Sequence, residues 1–174
     1  MARILLDTLE RALSETPLCS FVFETFGGFT TNYIQCLTCN YQSSRDEKFF
    51  DIVAQVSGKK GLEESLAEFF GVERMDKENQ YFCEQCDKKC DADRGVKARV
   101  LPPVLTFSLM RFGINWDTGS RYKVNDRFEF PLELDMKPFL IADSDQINDD
   151  MTYELKAVVK HSGGTYGGHY NAYI

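Results

Sequence analysis

The sequence predicts an α+β fold whose sheets are mostly antiparallel and which carries one protruding arm. Three observations support this prediction. The first residues follow a helical period, short apolar and aromatic segments follow from residue 21 onward, and two Cys-x-x-Cys pairs lie far apart in the chain. Such an order indicates separate helical and antiparallel regions rather than alternating strand and helix units.

Composition indicates one globular domain of 174 residues. Hydrophobic residues make up 43% and charged residues 27% of the chain, as in ordinary water-soluble domains. No apolar segment approaches the roughly 20 residues of a membrane span, and the first residues lack the layout of a signal peptide. We therefore expect a cytoplasmic or nuclear location and no membrane partner.

The charge balance bears on the kind of partner. Acidic residues number 27 against 20 basic ones, a formal net charge of −7. This balance argues against a nucleic-acid partner, which is normally met by a surface of lysine and arginine. A partner with a basic surface and a cationic tail would fit better, although solubility alone explains the charge equally well.

The first predicted element is an amphipathic helix over residues 2–14. Leu5, Leu9 and Leu13 recur at four-residue steps and form an apolar stripe, and Pro17 follows as a stop signal. This stripe needs a covering surface, because a large exposed apolar face is unfavourable in water.

Strands and a second helix are predicted for the next part of the chain. Residues 21–23, 31–34 and 49–56 have apolar and aromatic alternation typical of strands, and the polar cluster 41–48 is expected to separate them. After the break at 58–61, one face of a helix is predicted from Leu62, Leu66, Phe69 and Phe70.

The rest of the chain is predicted to be another β region. Strands are expected over residues 104–112, 128–134, 153–161 and 169–174. Residues 142–150 carry four aspartates and no aromatic residue, which indicates an exposed loop.

Two cysteine pairs predict a metal site. Cys36 and Cys39 form one Cys-x-x-Cys knuckle and Cys83 and Cys86 form the other, and four thiolates are the ligand set of a structural Zn²⁺. Reduced, buried cysteines without metal are the alternative. A closed four-thiolate site leaves no position for substrate, so the ion would hold the arm together.

Two further cysteines lie outside the knuckles. Cys90 follows Cys86 by four residues and is interpreted as a solvent-exposed bystander rather than as a spare ligand. Cys19 follows the first helix and is interpreted as a small apolar residue.

Both histidines of the chain lie in one glycine-rich segment near its end. Residues 161–173 read His-Ser-Gly-Gly-Thr-Tyr-Gly-Gly-His-Tyr-Asn-Ala-Tyr. Histidine can carry a proton between reacting groups near neutral pH, and glycine lets the backbone approach a ligand closely. A glycine-rich hairpin with an incidental histidine is an equally good interpretation of this segment by itself.

The segment resembles the histidine box of the ubiquitin-specific proteases, which are papain-like cysteine peptidases. Residues 99–112, R-V-L-P-P-V-L-T-F-S-L-M-R-F, and the Y-K-V-N-D-R-F-E-F-P within 121–134 are similar to two further elements of that family. In detail the chain is most similar to the branch of the herpesvirus-associated ubiquitin-specific protease.

The resemblance implies a division into three parts. Residues 1–18 would be the end of the thumb, 19–98 the zinc-binding fingers with one inserted helix, and 99–174 the palm with its mostly antiparallel sheet. Most of the thumb would lie upstream, so the stripe of the first helix would lack its cover and the polypeptide is expected to self-associate.

The resemblance also assigns residue roles. His169 would be the general base, and His161 would be auxiliary, near the oxyanion; a hydrogen-bonded strand-end histidine is the alternative for His161. Gly167 and Gly168 would line the path of ubiquitin's C-terminal tail. The aromatic residues Tyr170 and Phe112 would line the same path, although core packing explains these two nearly as well.

The family's cysteine box, of the type Gly-Asn-Thr-Cys-Tyr, is absent from these 174 residues. The third triad residue, which normally follows the histidine box, is absent too. We therefore expect a polypeptide that belongs to a deubiquitinase, has ubiquitin as its partner and is inactive alone. A zinc-stabilised module that binds ubiquitin without cleaving it is the alternative, and a zinc-ribbon nucleic-acid binder is disfavoured by the acidic charge.

Overall fold

The computed structural model describes residues 2–174, and side chains from residue 4 onward. The helices are α1 (Ala2–Leu13), α2 (Phe21–Phe26) and α3 (Leu62–Phe69). The strands are β1 (Gly28–Cys36), β2 (Gln42–Phe49), β3 (Ile52–Gln55), β4 (Val72–Met75), β5 (Tyr81–Cys83), β6 (Lys88–Cys90), β7 (Ala92–Val100), β8 (Phe107–Met110), β9 (Phe112–Ile114), β10 (Arg121–Lys123), β11 (Glu133–Asp135), β12 (Thr152–Glu154), β13 (Val158–Gly163) and β14 (Gly168–Tyr173). None of the helices in this part of the chain is long and apolar enough to cross a membrane.

The largest sheet forms the arm. Its strands lie in the order β2-β1-β7-β4, and every neighbouring pair is antiparallel. The long strands β1 and β7 lie in its centre, and Cys36 at the end of β1 pairs with Ala92 at the start of β7. One end of this sheet therefore holds a cysteine of the first knuckle.

The polar cluster 41–48 is a strand, so the prediction that it separates two strands is wrong. Strand β2 pairs with β1 from Gly28↔Phe49 to Gln35↔Gln42. The residues of β2 are exposed apart from Phe49 at its end. An edge strand that buries neither of its faces needs no apolar alternation, and its charged side chains discourage pairing with another chain.

Residues 21–23 form the start of α2, so their prediction as a strand is also wrong. Val22 is buried, whereas Phe21 is half exposed. Phe23 makes edge-to-face contacts with Phe29 and Phe50, with ring centroids 5.4 and 6.0 Å apart. Packing of these side chains against the rest of the fold therefore determines that the segment is helical. The run of apolar residues by itself does not specify a strand.

Helix α1 agrees with its prediction, and its apolar stripe is largely uncovered. Leu6 is buried, but Leu5 and Leu9 remain 61% and 40% exposed. An ion pair of 3.1 Å between Lys48 of β2 and Glu10 holds the helix against the arm. Self-association through this stripe stays a prediction.

Strand β3 and helix α3 pack with the second half of the chain and share one hydrophobic core with it. Strand β3 pairs in parallel with β8, the exception in a mostly antiparallel structure. As predicted for the second helix, Leu62, Leu66 and Phe70 are buried, while Phe69 is 38% exposed. The buried core consists of Ile52, Ala54, Val56, Leu62, Leu66, Phe70, Ala98, Leu101, Phe128, Leu134, Met136 and Leu140. The predicted boundary between fingers and palm at residue 98 is not tested by this packing and stays a prediction.

The later β region is more broken than predicted. Residues 128–134 contribute one bridge, from Glu129 to Gly61, before β11 begins. Residues 104–112 divide into β8 and β9, and residues 153–161 divide into β12 and β13. Strand β14 agrees with its prediction.

The acidic loop 142–150 lacks regular structure, as predicted, but it is not wholly exposed. Ser144 is 4% exposed, and its hydroxyl donates a 2.6 Å hydrogen bond to the carbonyl oxygen of Arg99. The side chain of Gln146 contacts both the N–H and the C=O of Leu101, at 2.7 and 3.0 Å. This part of the loop is thus held against the start of the segment that leads into β8.

Substitution of two buried serines by alanine should change the free energy of unfolding in opposite directions. The Oγ of Ser65 in α3 is buried and has no hydrogen-bond partner within the described chain, whereas Ser144 bonds Arg99 and receives the N–H of Gln146. We expect Ser65→Ala to raise the free energy of unfolding by up to about 1 kcal/mol and Ser144→Ala to lower it by about 1–2 kcal/mol. Urea unfolding of the two variants measures both, and destabilisation by Ser65→Ala would contradict the packing described here.

Candidate functional site

The glycine-rich segment forms the hairpin β13–β14. The strands pair from Val158↔Tyr173 to Gly163↔Gly168, and a short loop closes with Gly164 N–H donating to the carbonyl of Gly167 at 3.0 Å. Gly163 has φ +136°, a backbone conformation that other residues rarely adopt. The glycines therefore set the length of the loop and, through it, the register of the hairpin.

The register places the two histidines on opposite faces. His161 lies opposite Tyr170, and His169 lies opposite Ser162. Successive residues of a strand point to alternate faces, and directly paired residues share one face. His169 is exposed, so its imidazole is accessible on one side of the hairpin, while His161 belongs to the other side.

His161 lies in an aromatic cluster. Its ring centroid is 4.8 Å from that of Tyr170 and 5.4 Å from that of Phe112. Its Nδ1 is buried and, among the residues described, has no hydrogen-bond partner. A Cβ on Gly168 would collide with Nε2 of His161, so glycine at this position makes room for the ring. Four predicted site residues, His161, Tyr170, Phe112 and Gly168, thus meet on the face opposite His169.

Lys123 connects the neighbouring hairpin β9–β10 to the histidine strand. Its Nζ donates to the carbonyl oxygens of His161 and Gly163, at 3.2 and 3.0 Å. The same Nζ lies 6.0 Å from the ring centroid of Phe112, which pairs with Lys123 across the hairpin. Sequence reasoning assigned no role to Lys123, although it is the lysine of the Y-K-V-N element.

A shallow cavity lies between the two hairpins. Its volume is about 280 Å³, and it is lined by Phe112, Gly113, Ile114, Arg121 and Thr165. Thr165 comes from the loop of the β13–β14 hairpin, next to the predicted tail-binding glycines. Gly167 has open space around the position of a Cβ, so this glycine is not required by packing.

The four knuckle cysteines meet at the end of the arm. Their sulfur atoms all lie within 4.8 Å of one another, with Cys36 and Cys86 4.0 Å apart and Cys39 and Cys83 3.6 Å apart. Zinc–thiolate bonds of about 2.3 Å in a tetrahedron require sulfur atoms roughly 3.8 Å apart. The two measured separations bracket this value, so the residues fit a tetrahedral ion.

The two knuckles have the same backbone design. Each begins at the end of a strand, with Cys36 closing β1 and Cys83 closing β5. The residue after the second cysteine, Asn40 in one knuckle and Asp87 in the other, has a positive φ of 59° and 50°. Asparagine and aspartate tolerate this conformation, which turns the chain back after each pair of thiols.

Hydrogen bonds tune the thiols of this cluster. Backbone hydrogen bonds from Cys39 and Thr38 outweigh burial and lower the pKa of Cys36 to about 6. Hydrogen bonding with the Cys39 thiol, together with burial, raises the pKa of Cys86. The lowered pKa favours the thiolate form of Cys36, and the thiolate is the form that binds a metal.

One of the two remaining cysteines differs from its prediction. Cys90 is 3% exposed and packs against Cys36 and Cys83, so its interpretation as a solvent-exposed bystander is wrong. Cys19 is exposed, and its interpretation as a small apolar residue stays a prediction. Burial of Cys90 follows from its place in β6, and exposure of Cys19 follows from its place in the turn after α1.

The chain belongs to the ubiquitin carboxyl-terminal hydrolase family, whose model matches residues 1–174. It is 37% identical over 172 residues to ubiquitin carboxyl-terminal hydrolase 5 of Schizosaccharomyces pombe, covering 99% of this chain and 15% of that protein. It is also 37% identical over 174 residues to human ubiquitin carboxyl-terminal hydrolase 40, covering 99% of this chain and 14% of that protein. The chain therefore spans about a seventh of the relatives it matches.

A solved structure has the same architecture. The SAGA Ubp8/Sgf11/Sus1/Sgf73 DUB module bound to ubiquitin aldehyde contains a chain that matches with a TM-score of 0.82 and 27% sequence identity. The match covers 98% of this chain and 39% of that one. These findings confirm the predicted family and the α+β fold with its papain-like palm and its arm, while the herpesvirus-associated branch stays a prediction.

Proposed function

We propose that this chain is part of a deubiquitinating cysteine protease that hydrolyses the peptide or isopeptide bond after the C-terminal glycine of ubiquitin. One observation carries the proposal: the chain belongs to the ubiquitin carboxyl-terminal hydrolase family along all of its 174 residues. The Ubp8 module that it resembles in fold binds ubiquitin aldehyde, which supports ubiquitin as the partner of this chain.

His169 is the proton carrier in this proposal. Its imidazole would take a proton from a cysteine thiol and return it to the leaving amine. Its exposure supports the role, because a substrate can reach the ring on that face of the hairpin. His161 lies on the other face, so an auxiliary role near the oxyanion would require its own contact with substrate.

The ubiquitin tail would bind along the aromatic pair and the loop-end glycines of the hairpin, with its last bond reaching His169. Phe112 and Tyr170 are 46% and 51% exposed, so neither is a core residue. Gly167 and Gly168 lie at the loop end of the same hairpin. An exposed aromatic pair beside glycines is suited to an extended, flexible peptide, and the net charge of −7 suits its basic residues.

The arm would hold one Zn²⁺ through Cys36, Cys39, Cys83 and Cys86. With four thiolates the ion has no open position, so it would supply structural stability and no chemistry. Residues 19–98 would be the fingers, 99–174 the palm and 1–18 the end of the thumb. A cytoplasmic or nuclear location is part of the same proposal.

A segment exchange tests the proposal. The matching segment of Schizosaccharomyces pombe ubiquitin carboxyl-terminal hydrolase 5 is replaced by these 174 residues, and release of fluorophore from a ubiquitin C-terminal substrate is measured. We expect turnover by the chimera and none by the 174-residue polypeptide, whose sequence lacks the family's cysteine box. A soluble chimera that binds ubiquitin but does not cleave would instead favour the non-catalytic binding module.

A further inference from the structure

Five cysteines, rather than four, converge at the end of the arm. Cys36, Cys83 and Cys90 form one buried cluster, and Cys86 packs against it from a half-buried position. The exposed fraction of Cys90 is 3%, against 0% for the two cysteines beside it. A buried thiol beside four thiols suited to metal binding can itself serve as a ligand, which an isolated cysteine cannot do.

The register of the β5–β6 hairpin explains why Cys90 faces the site. Cys83 pairs with Lys88 and Tyr81 pairs with Cys90, so residues 81, 83, 88 and 90 share one face of the hairpin. Cys83 and Cys90 are diagonal neighbours on that face. Cys86 lies in the turn that joins the two strands. One short hairpin therefore directs three thiols toward the same place.

We propose that Cys90 is an alternate ligand of the metal site, able to replace Cys86. The proposal rests on the zinc site described above. In the exchange, the Cys90 thiol loses its proton and forms a bond to the ion, while the bond to Cys86 breaks and that thiolate takes up a proton. The ion keeps four thiolates throughout, and neither the charge of the site nor the oxidation state of any atom changes.

Cys86 is the ligand that Cys90 is placed to replace. Both belong to the same hairpin, and Cys86 packs against the buried cluster that contains Cys90. Cys86 is half-buried and sits in a turn, whereas Cys83 is fixed in a strand and fully buried. Cys39 belongs to the other knuckle and hydrogen-bonds across the site with Cys83 at 3.6 Å. Exchange at Cys86 thus requires movement of one turn and leaves both strands in place.

Cobalt spectroscopy counts the thiolates directly. Co²⁺ is added to saturation to the reduced 174-residue polypeptide, and the intensity of the thiolate-to-cobalt charge-transfer band is compared among variants. We expect Cys86→Ser and Cys90→Ser to retain the wild-type intensity, since Cys86 or Cys90 remains in each variant to complete the set with Cys36, Cys39 and Cys83. The double variant Cys86→Ser/Cys90→Ser should lose about a quarter of it, because one of four thiolates is then missing.

Cys39→Ser is the matched control. It removes one ligand from the knuckle that Cys90 does not share, so we expect the same loss of about a quarter as in the double variant. Cys86→Ser with the intensity of Cys39→Ser, or without cobalt binding, would overturn the alternate ligand and leave the zinc site intact. Wild-type polypeptide that binds no cobalt would instead overturn the metal site itself.

Discussion

Removal of the metal, or of Cys83, is expected to unfold the end of the arm. The strands β5 and β6 have three residues each, and the buried cluster beside them consists of cysteines with Tyr81 as the one aromatic neighbour. So small an apolar cluster cannot offset the conformational entropy of ordering this region. A structural zinc ion contributes roughly 10–16 kcal/mol in isolated zinc-finger peptides, so its loss should dominate local stability.

Hydrogen exchange locates this effect. Chelation or Cys83→Ser should abolish the protection of amides in residues 81–90. A metal assay should show the loss of about one zinc ion per chain at the same time. Amides of the core strands β3 and β8 should stay protected, because that core contains no knuckle cysteine. Cys19→Ser, which changes an exposed cysteine, is the control and should alter neither reading. Unchanged protection of residues 81–90 after complete zinc removal would contradict a structural metal.

The four-cysteine cluster was predictable because its members are encoded by spacing. A Cys-x-x-Cys turn presents two thiols to one ion wherever it occurs, so Cys36, Cys39, Cys83 and Cys86 are found from sequence alone. The position of Cys90 depends on which residues of β5 and β6 face each other. That register depends on the type and length of the turn over residues 84–87, which joins β5 to β6.

Strands were harder to predict where burial does not follow the side-chain period. Strand β2 is polar along its length because it is an exposed edge, and α2 reads as a strand because three apolar residues are too few to define a period. The parallel pairing of β3 with β8 joins residues 52–55 to 107–110. No local pattern encodes a contact between such distant segments.

The roles of the two histidines are predicted by resemblance and stay predictions, whereas their placement on opposite faces of the hairpin could not be predicted. Their placement on opposite faces follows from the pairing of Gly163 with Gly168. Several glycines in the loop allow more than one turn, so the sequence does not determine that pairing. The hydrogen bonds from Lys123 to the carbonyls of His161 and Gly163 could not be predicted from sequence either, because they join two separate hairpins.

Loss of the His169 imidazole is expected to abolish catalysis. Positioned general acid–base groups contribute on the order of 10²–10⁴ in rate, and removal of a triad histidine costs as much as removal of the whole triad in subtilisin. His169→Ala should therefore lower kcat/KM by at least about 10³. His161→Ala should have a smaller effect, because that ring packs between Phe112 and Tyr170 on the other face.

The most direct test compares these two variants in the chimera described above. Fluorophore release from the ubiquitin C-terminal substrate is measured for the unsubstituted chimera, His169→Ala and His161→Ala, with ubiquitin affinity determined for each. We predict that His169→Ala binds ubiquitin normally but has no measurable turnover, while His161→Ala retains part of the turnover. Turnover by His169→Ala equal to that of the unsubstituted chimera would contradict the assignment of His169 as the proton carrier.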